Sequence, residues 1–212
     1  DDANPKSSNW LNIYWFMGGV ALLAFMVLFV SKLDESQATI EKRKFSEDFK
    51  EMLLLIVKPL TLIFIISIFL YVLIEQSFQT WFPTFYTDII NAPASMAVQA
   101  GAVLGGAFMI GRFLGGFILN KVKWIYLLSF CLVASAILIV LVLPLSGNSS
   151  TEGLITWSNA PTVVYLMPLI GLFLAPVYPT INSTILSSLP KHMHSSMAGL
   201  IVVFSALGGT TG

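Results

Sequence analysis

Charge is what this sequence has least of. Of its 212 residues only 10% are Asp, Glu, Lys or Arg, and 11 acidic residues balance 11 basic ones. Soluble domains carry about 25% charged residues. A water-facing surface built from so few charges would expose apolar patches large enough to drive aggregation, which excludes a soluble globular fold. The zero net charge offers no field to attract a polyanion, so no nucleic-acid partner is expected. Cysteine is nearly absent: Cys131 is the single thiol, no intramolecular disulfide can form, and its place within an apolar run reads as packing. The sequence also lacks the HExxH metal pair, the GxSxG elbow and the GxxxxGK[ST] phosphate loop. Its only histidines, His192 and His194, have no Cys or carboxylate close by in sequence. A metal site is therefore not expected. No cofactor and no enzymatic activity are expected either.

What remains is apolar. Hydrophobic residues make up 56% of the chain, with a mean hydropathy of +0.83, and they gather into long runs. A membrane helix needs about 20 such residues. Six runs qualify: Leu11–Ser31, Met52–Ser77, Met96–Leu119, Ile125–Leu145, Thr162–Leu186, and a last one from Ser195 to the end of the sequence. Barrel strands would be about 10 residues long and would alternate in polarity. These runs do neither, so an all-α polytopic bundle of about six transmembrane helices is expected.

The connections carry the orientation. Lys32, Lys42, Arg43, Lys44 and Lys50 follow the first run, Lys121 and Lys123 follow the third, and Lys191 follows the fifth. The connections 78–95 and 146–161 contain no Lys or Arg, and only Lys6 precedes the first run. By the positive-inside rule the basic connections are cytoplasmic and the N-terminus of the chain is outside. Trp10, Trp15, Trp81, Trp124 and Trp157 all fall near run boundaries, as an interfacial aromatic belt requires. In the charged connection, Ser46 followed by Glu47 and Asp48 reads as a helix start, and a short amphipathic helix on the cytoplasmic face is expected. The chain begins and stops in a way that reads as a piece of a longer protein. Asn148-Ser-Ser150 matches a glycosylation sequon in an outside connection, a pattern common by chance.

Three ionisable residues fall in or beside the runs: Lys58, Glu75 and Arg112. A charge at the centre of a membrane helix costs about 2.5–3.5 kcal/mol on insertion scales. Lys58, one and a half turns into the second run, has a stem long enough to snorkel. Glu75 does not. It lies in the outer part of its run, and helical spacing puts Tyr71, Glu75 and Gln79 on one stripe. A carboxylate, an amide and an aromatic ring suit a hydroxyl-rich solute, and a buried carboxyl can also carry a proton. The alternative is an interfacial Glu at the helix mouth. Arg112 lies two turns from the cytoplasmic end of the third run and is expected to reach toward the following loop and hold a conformation.

The third run carries Gly101 and Gly105, then Gly111 and Gly115, each pair spaced G-x-x-x-G, which lets membrane helices approach closely. The fifth carries Pro168, Pro176 and Pro179, with Tyr178 and Asn182 one turn apart. Prolines break a helix and free carbonyls, tolerated in lipid where the break lines a cavity or a neighbour repairs it. Broken helices with polar residues at mid-depth point to a translocation path. Bending for packing alone is the alternative.

These residues resemble a known family. Gly111-Arg112-Phe113-Leu-Gly115-Gly116, shortly before Lys121 and Lys123, resembles the signature between the eighth and ninth helices of the major facilitator superfamily. Tyr71-Val-x-x-Glu75, Pro176-Val-Tyr-Pro179-Thr180-Ile181 and Ser205-Ala-Leu-Gly208-Gly209 look like the seventh, tenth and eleventh helices of its fucose–proton symporter branch. The sequence departs from the pattern at Asn120, where an acid is common, and at Leu73, where glycine is frequent. The resemblance implies the C-terminal half of a major-facilitator fold. Residues 1–31 would be an outer segment and the last helix of the N-terminal half. Residues 32–51 would be the cytoplasmic linker between halves, and 52–212 the C-terminal half, cut before its last helix. It implies alternating access in the cell membrane (the inner membrane if bacterial), with a small solute, a sugar first among candidates, and a proton as partners beside the bilayer and the missing N-terminal half. Glu75, Gln79, Tyr71, Tyr178 and Asn182 would bind substrate or couple protons, while Arg112, Gly111, Gly115, Pro176 and Pro179 would serve the gate and the helix packing. A proton-driven exporter of drugs or metabolites, and a sensor or interaction protein that no longer transports, stay open as alternatives.

Overall fold

The computed structural model describes residues 11–31, 45–147 and 155–212, and no strand occurs among them. Trp10, the cations Lys32, Lys42, Arg43 and Lys44, and the sequon at Asn148 lie outside the described residues. The chain divides into two units, residues 1–43 and 44–212. In the first, α1 (Leu11–Val30) is apolar around its whole circumference, as a lipid-surrounded helix must be. Its 20 residues span about 30 Å, the thickness of a bilayer's hydrocarbon core.

The second unit holds α2 (Phe45–Ile56), α3 (Pro59–Thr84), α4 (Ala94–Leu119), α5 (Trp124–Gly147), α6 (Thr162–Leu174), α7 (Val177–Ser188) and α8 (His194–Thr211). A π-helical turn, Phe85–Ile89, extends α3, and a 3₁₀ turn, Lys191–Met193, leads into α8. Counting α3 with its extension and α6 with α7, six helices of the described chain are long and apolar enough to cross a membrane. The six expected spans are thus present as helices, in a polytopic all-α bundle.

The second span differs from its expected bounds at both ends. Met52–Ile56 belong to α2, and a new helix starts at Pro59. Lys58 is its N-cap, with extended backbone (φ −72°, ψ 125°). A residue before proline is pushed out of the α region, while proline itself fits the first helical position. Lys58 therefore sits at the joint between α2 and α3 and not inside a span, its Nζ 3.9 Å from Met193 Sδ. At the other end α3 does not stop at Ser77. It continues to Ile89, where Asn91 takes a left-handed φ of 57° and the chain turns. The expected connection 78–95 shrinks to residues 90–93. The short amphipathic helix is there as α2, but it begins at Phe45, so Ser46 lies inside it, and it runs beyond Glu51 to bury Leu55.

Packing is set by glycines. In α4, a Cβ on Gly111 would lie 2.2 Å from the carbonyl oxygen of Leu172, and one on Gly115 would lie 2.6 Å from Pro176 Cβ. From the facing side, a Cβ on Gly171 would lie 2.5 Å from Leu104. Gly208 of α8 meets the Phe69 carbonyl of α3 at 2.6 Å in the same sense. The second predicted pair, Gly111 and Gly115, therefore works as a close-approach surface. The first does not among the described residues, where nothing stands within 4 Å of a Cβ on Gly101 or Gly105.

The fifth span is the most buried of the six and is broken at Ala175-Pro176, between α6 and α7. Two of its carbonyls find donors on a neighbouring helix. Pro168 has no N–H for the Val164 carbonyl one turn before it, and the Tyr86 hydroxyl donates to that carbonyl at 2.5 Å. At the break itself the Tyr71 hydroxyl donates to Leu174 O at 2.8 Å. Two tyrosines of α3 and its extension thus supply two of the donors that the interrupted helix lacks, a neighbour's repair of the kind a hydrocarbon surround demands. Thr180 adds a bond from its hydroxyl to Pro176 O at 2.7 Å.

Candidate functional site

Glu75, Gln76, Gln79, Arg112, Tyr178 and Ser205 converge on one concave face, a cavity of about 780 Å³ between α3, α4, α7 and α8. Glu75 forms its floor. The side chain is 8% exposed and its Oε1 accepts from Arg112 Nη2 at 3.0 Å. The same oxygen accepts from Gln79 Nε2, one turn on, at 3.3 Å. Arg112 is 53% exposed, so one edge of its guanidinium holds the carboxylate while the rest faces the cavity. Its Cζ stands 5.8 Å from the centre of the Phe108 ring, one turn earlier on α4, within cation–π range. Opposite, Tyr178 and Ser205 share a hydrogen bond at 3.2 Å between their hydroxyls. Gln76, Gly105 and Gly209 complete the polar and open part of the wall.

Sequence and structure agree in part on these residues. Glu75, Gln79 and Tyr178 line the cavity together. Tyr71 stands behind it, buried, with its ring 6.1 Å from that of Tyr178 and its hydroxyl committed to Leu174 O. Asn182 does not line it; its Oδ1 is buried without a hydrogen-bond partner. Gly111, Gly115 and Pro176 sit in the α4–α6 contact, and Pro179 is exposed in the first turn of α7, where a missing N–H is harmless.

Two expectations are corrected. Arg112 does not reach toward the loop after α4; it turns across the bundle to Glu75. Glu75 is not at the mouth of its helix. From Pro59 to Ile89 the helix runs without interruption, which puts Glu75 about 24 Å from one end and about 21 Å from the other. Gln76, Phe108 and Ser205 were missed. Gln76 is three residues from Gln79, Phe108 four from Arg112 and Ser205 four from Gly209, so helical spacing was the signal that would have found them.

Such a site does not assemble covalent chemistry. Among the described residues no three His, Cys, Asp or Glu side chains come together as a metal site would need. The cavity offers donors, acceptors and one aromatic face around a neutralised ion pair, and it is cut into a bundle of membrane-crossing helices. Comparison with curated proteins and with solved structures gave no match. The profile of the Major Facilitator Superfamily matches residues 6–212, nearly the whole chain. The chain belongs to the Major Facilitator Superfamily, and is accordingly a multi-pass secondary transporter of small solutes and not an enzyme.

Proposed function

We propose that the protein is a proton-coupled monosaccharide symporter working by alternating access, akin to the fucose–proton branch of its family. The observation that carries this reading is Glu75, held by Arg112 and Gln79 at mid-depth on the wall of a 780 Å³ cavity. Small-molecule sites fall at about 300–1,000 Å³. The wall gives a polyol what it needs: a carboxylate and two amides from Glu75, Gln76 and Gln79, hydroxyls from Tyr178 and Ser205, and the Phe108 face for C–H stacking. A broad apolar wall, as a lipophilic drug would call for, is not what these residues make.

On this reading residues 52–212 act as the C-terminal half, 32–51 link it to the N-terminal half, and 1–31 carry that half's last helix with the N-terminus outside. The open polar face of the cavity supports an opposing half as partner. Glu75 would take the coupled proton. Protonation would release Arg112, leaving it to the solute, and Arg112 would thereby act within the site as well as bracing it. Tyr71 would hold the broken span in register behind the site, and Tyr178 would move with α7 as the break flexes. Asn182, away from the wall, would enter the path only in another conformation.

The test is uptake of radiolabelled monosaccharides by cells carrying the intact protein. Glu75→Gln is expected to abolish uphill accumulation while retaining exchange down a gradient. Accumulation at the unmodified level by that variant would remove Glu75 from coupling. Insensitivity of every tested sugar to competition, with efflux of lipophilic toxins, would favour export instead.

A further inference from the structure

Away from the transport cavity, a second cleft of about 570 Å³ opens where α4 ends, α5 begins and α7 ends. Its wall has two chemistries. Ser183, Thr184, Ser187 and Ser188 form one face of the last turns of α7. Each hydroxyl donates its proton back to the helix: Ser183 and Thr184 to Thr180 O at 3.1 and 2.8 Å, Ser187 to Ser183 O at 2.7 Å, Ser188 to Ile185 O at 2.8 Å. Their oxygens therefore present lone pairs to the cleft. Facing them is Lys123, exposed, with Trp124 next to it and no carboxylate among the described residues of the wall. A ligand matched to this wall has an anionic group for Lys123 and several donors for the hydroxyl oxygens.

The cleft does not stand alone. Val122 also lines a second, apolar cavity of about 330 Å³ between α4, α5 and α6, walled by Gly115, Ile118, Leu127, Phe130 and Phe173. A polar, cation-bearing cleft at the ends of three membrane-crossing segments thus adjoins an apolar crevice that runs alongside the same helices. That is the polarity profile of one amphipathic molecule. A soluble phosphate compound would leave the crevice unused.

We propose that this composite site binds a phospholipid with an anionic polyol headgroup, its phosphodiester on Lys123, its headgroup hydroxyls on the serine face of α7, and an acyl chain along the crevice beyond Val122. Because the serine face belongs to α7, the segment beyond the break at Pro176, a lipid seated there bears on the orientation of that segment against α4 and α5. The negative phosphate is drawn to Lys123, with Lys121 on the same turn adding to the field; each such lysine contributes about fivefold in binding near a bilayer surface.

The full chain, delipidated in detergent and offered equal amounts of phosphatidylglycerol, phosphatidylethanolamine and phosphatidylcholine of matched chains, is read by native mass spectrometry for retained lipid. Retention of phosphatidylglycerol is expected to exceed that of the other two by about fivefold or more. Lys123→Gln should cut that preference by about fivefold, and Ser187→Ala with Ser188→Ala should weaken it. Leu114→Trp, an exposed crevice residue that can be enlarged without disturbing the core, should lower retention of all three. Equal retention of the three lipids, or a preference untouched by Lys123→Gln, would overturn the proposal. So would displacement of bound lipid by glycerophosphoglycerol, the headgroup without chains, since it would assign the cleft to a soluble phosphate ester.

Discussion

Tyr86→Phe isolates how the buried span crosses lipid with a proline inside it. Val164 O cannot be served by residue 168, because Pro168 has no N–H. Tyr86 supplies the proton at 2.5 Å, and both Tyr86 and Val164 are 0% exposed, so water cannot replace it. Phenylalanine keeps the ring contact with Phe82, whose centroid is 4.9 Å away. The substitution thus removes one donor and little packing. An orphaned buried carbonyl costs about 1–3 kcal/mol. Side-chain hydrogen bonds in membrane proteins average about 0.6 kcal/mol with a maximum of about 1.7, because the unfolded chain finds other partners in the bilayer. Full burial puts this bond near the upper end of that range, at about 1.4 kcal/mol, a tenfold change in the unfolding equilibrium.

The assay is a detergent titration in mixed micelles followed by circular dichroism, run as a double-mutant cycle with Pro168→Ala. Alanine restores the N–H that bonds Val164 O within the helix. In that background Tyr86→Phe should cost almost nothing, so the coupling between the two positions should be about 1.4 kcal/mol, in the range expected of residues sharing a partner. An equal loss in both backgrounds would mean that the tyrosine stabilises by packing or position, and the repair argument would be wrong.

Other outcomes follow from the same coordinates. Gly111→Ala should cost about 1–3 kcal/mol or more from overpacking, since the added Cβ would meet a backbone oxygen at 2.2 Å, whereas Gly101→Ala, in open space, should be neutral or gain up to about 1 kcal/mol of helix propensity; the same micelle titration ranks them. Arg112→Met should destabilise the bundle by about 1–3 kcal/mol, less than the ~3–5 kcal/mol of a fully buried pair, because Arg112 is half exposed; adding Glu75→Gln should recover most of the loss. Asn182→Met removes a buried carbonyl oxygen that has no partner, so stability should stay within about 0.5 kcal/mol or rise. A large loss would mean that Asn182 makes a bond in the folded bundle that this conformation lacks.

The spans were legible because lipid imposes a length and a composition on every crossing segment, and no packing detail alters that demand. Their ends were less so. The run through Gln76, Gln79, Thr80 and Thr84 falls in hydropathy and so reads as closing near Ser77, yet the helix continues, with Phe82 and Tyr86 buried and Tyr86 bonded to the broken span. At the other end the signal was present and overlooked: Lys58-Pro59 is a residue pushed into extended backbone followed by a residue suited to the first helical position. The break at Pro176 could be read from the prolines, but its repair could not, since nothing in sequence brings Tyr71 and Tyr86 opposite Leu174 and Val164. The glycine pairs show the same limit. Spacing alone does not distinguish Gly111 and Gly115, which touch a neighbour, from Gly101 and Gly105, which do not.

The ion pair is the instructive case, because its geometry follows from helix spacing once the helix ends at Ile89 and Ala94 are known. α3 with its extension and α4 are antiparallel neighbours joined by residues 90–93. Measured from that shared end, Glu75 lies 14 residues before Ile89 and Arg112 lies 18 residues after Ala94, depths of about 21 and 27 Å. The Cα–Cβ bond of every helical residue tilts toward its own N-terminus. Glu75 therefore leans deeper and Arg112 leans shallower, which narrows the offset of about 6 Å to within the reach of an arginine stem. Treating the two as separate intramembrane charges, each costing about 2.5–3.5 kcal/mol at mid-depth, led to separate explanations: a helix mouth for one and a loop for the other. Paired at 3.0 Å, they cancel, and the wall they form carries no net charge while both are ionised. Neutralising either residue alone puts an uncompensated charge on that wall, so the pair is the unit whose substitution separates electrostatics from solute recognition.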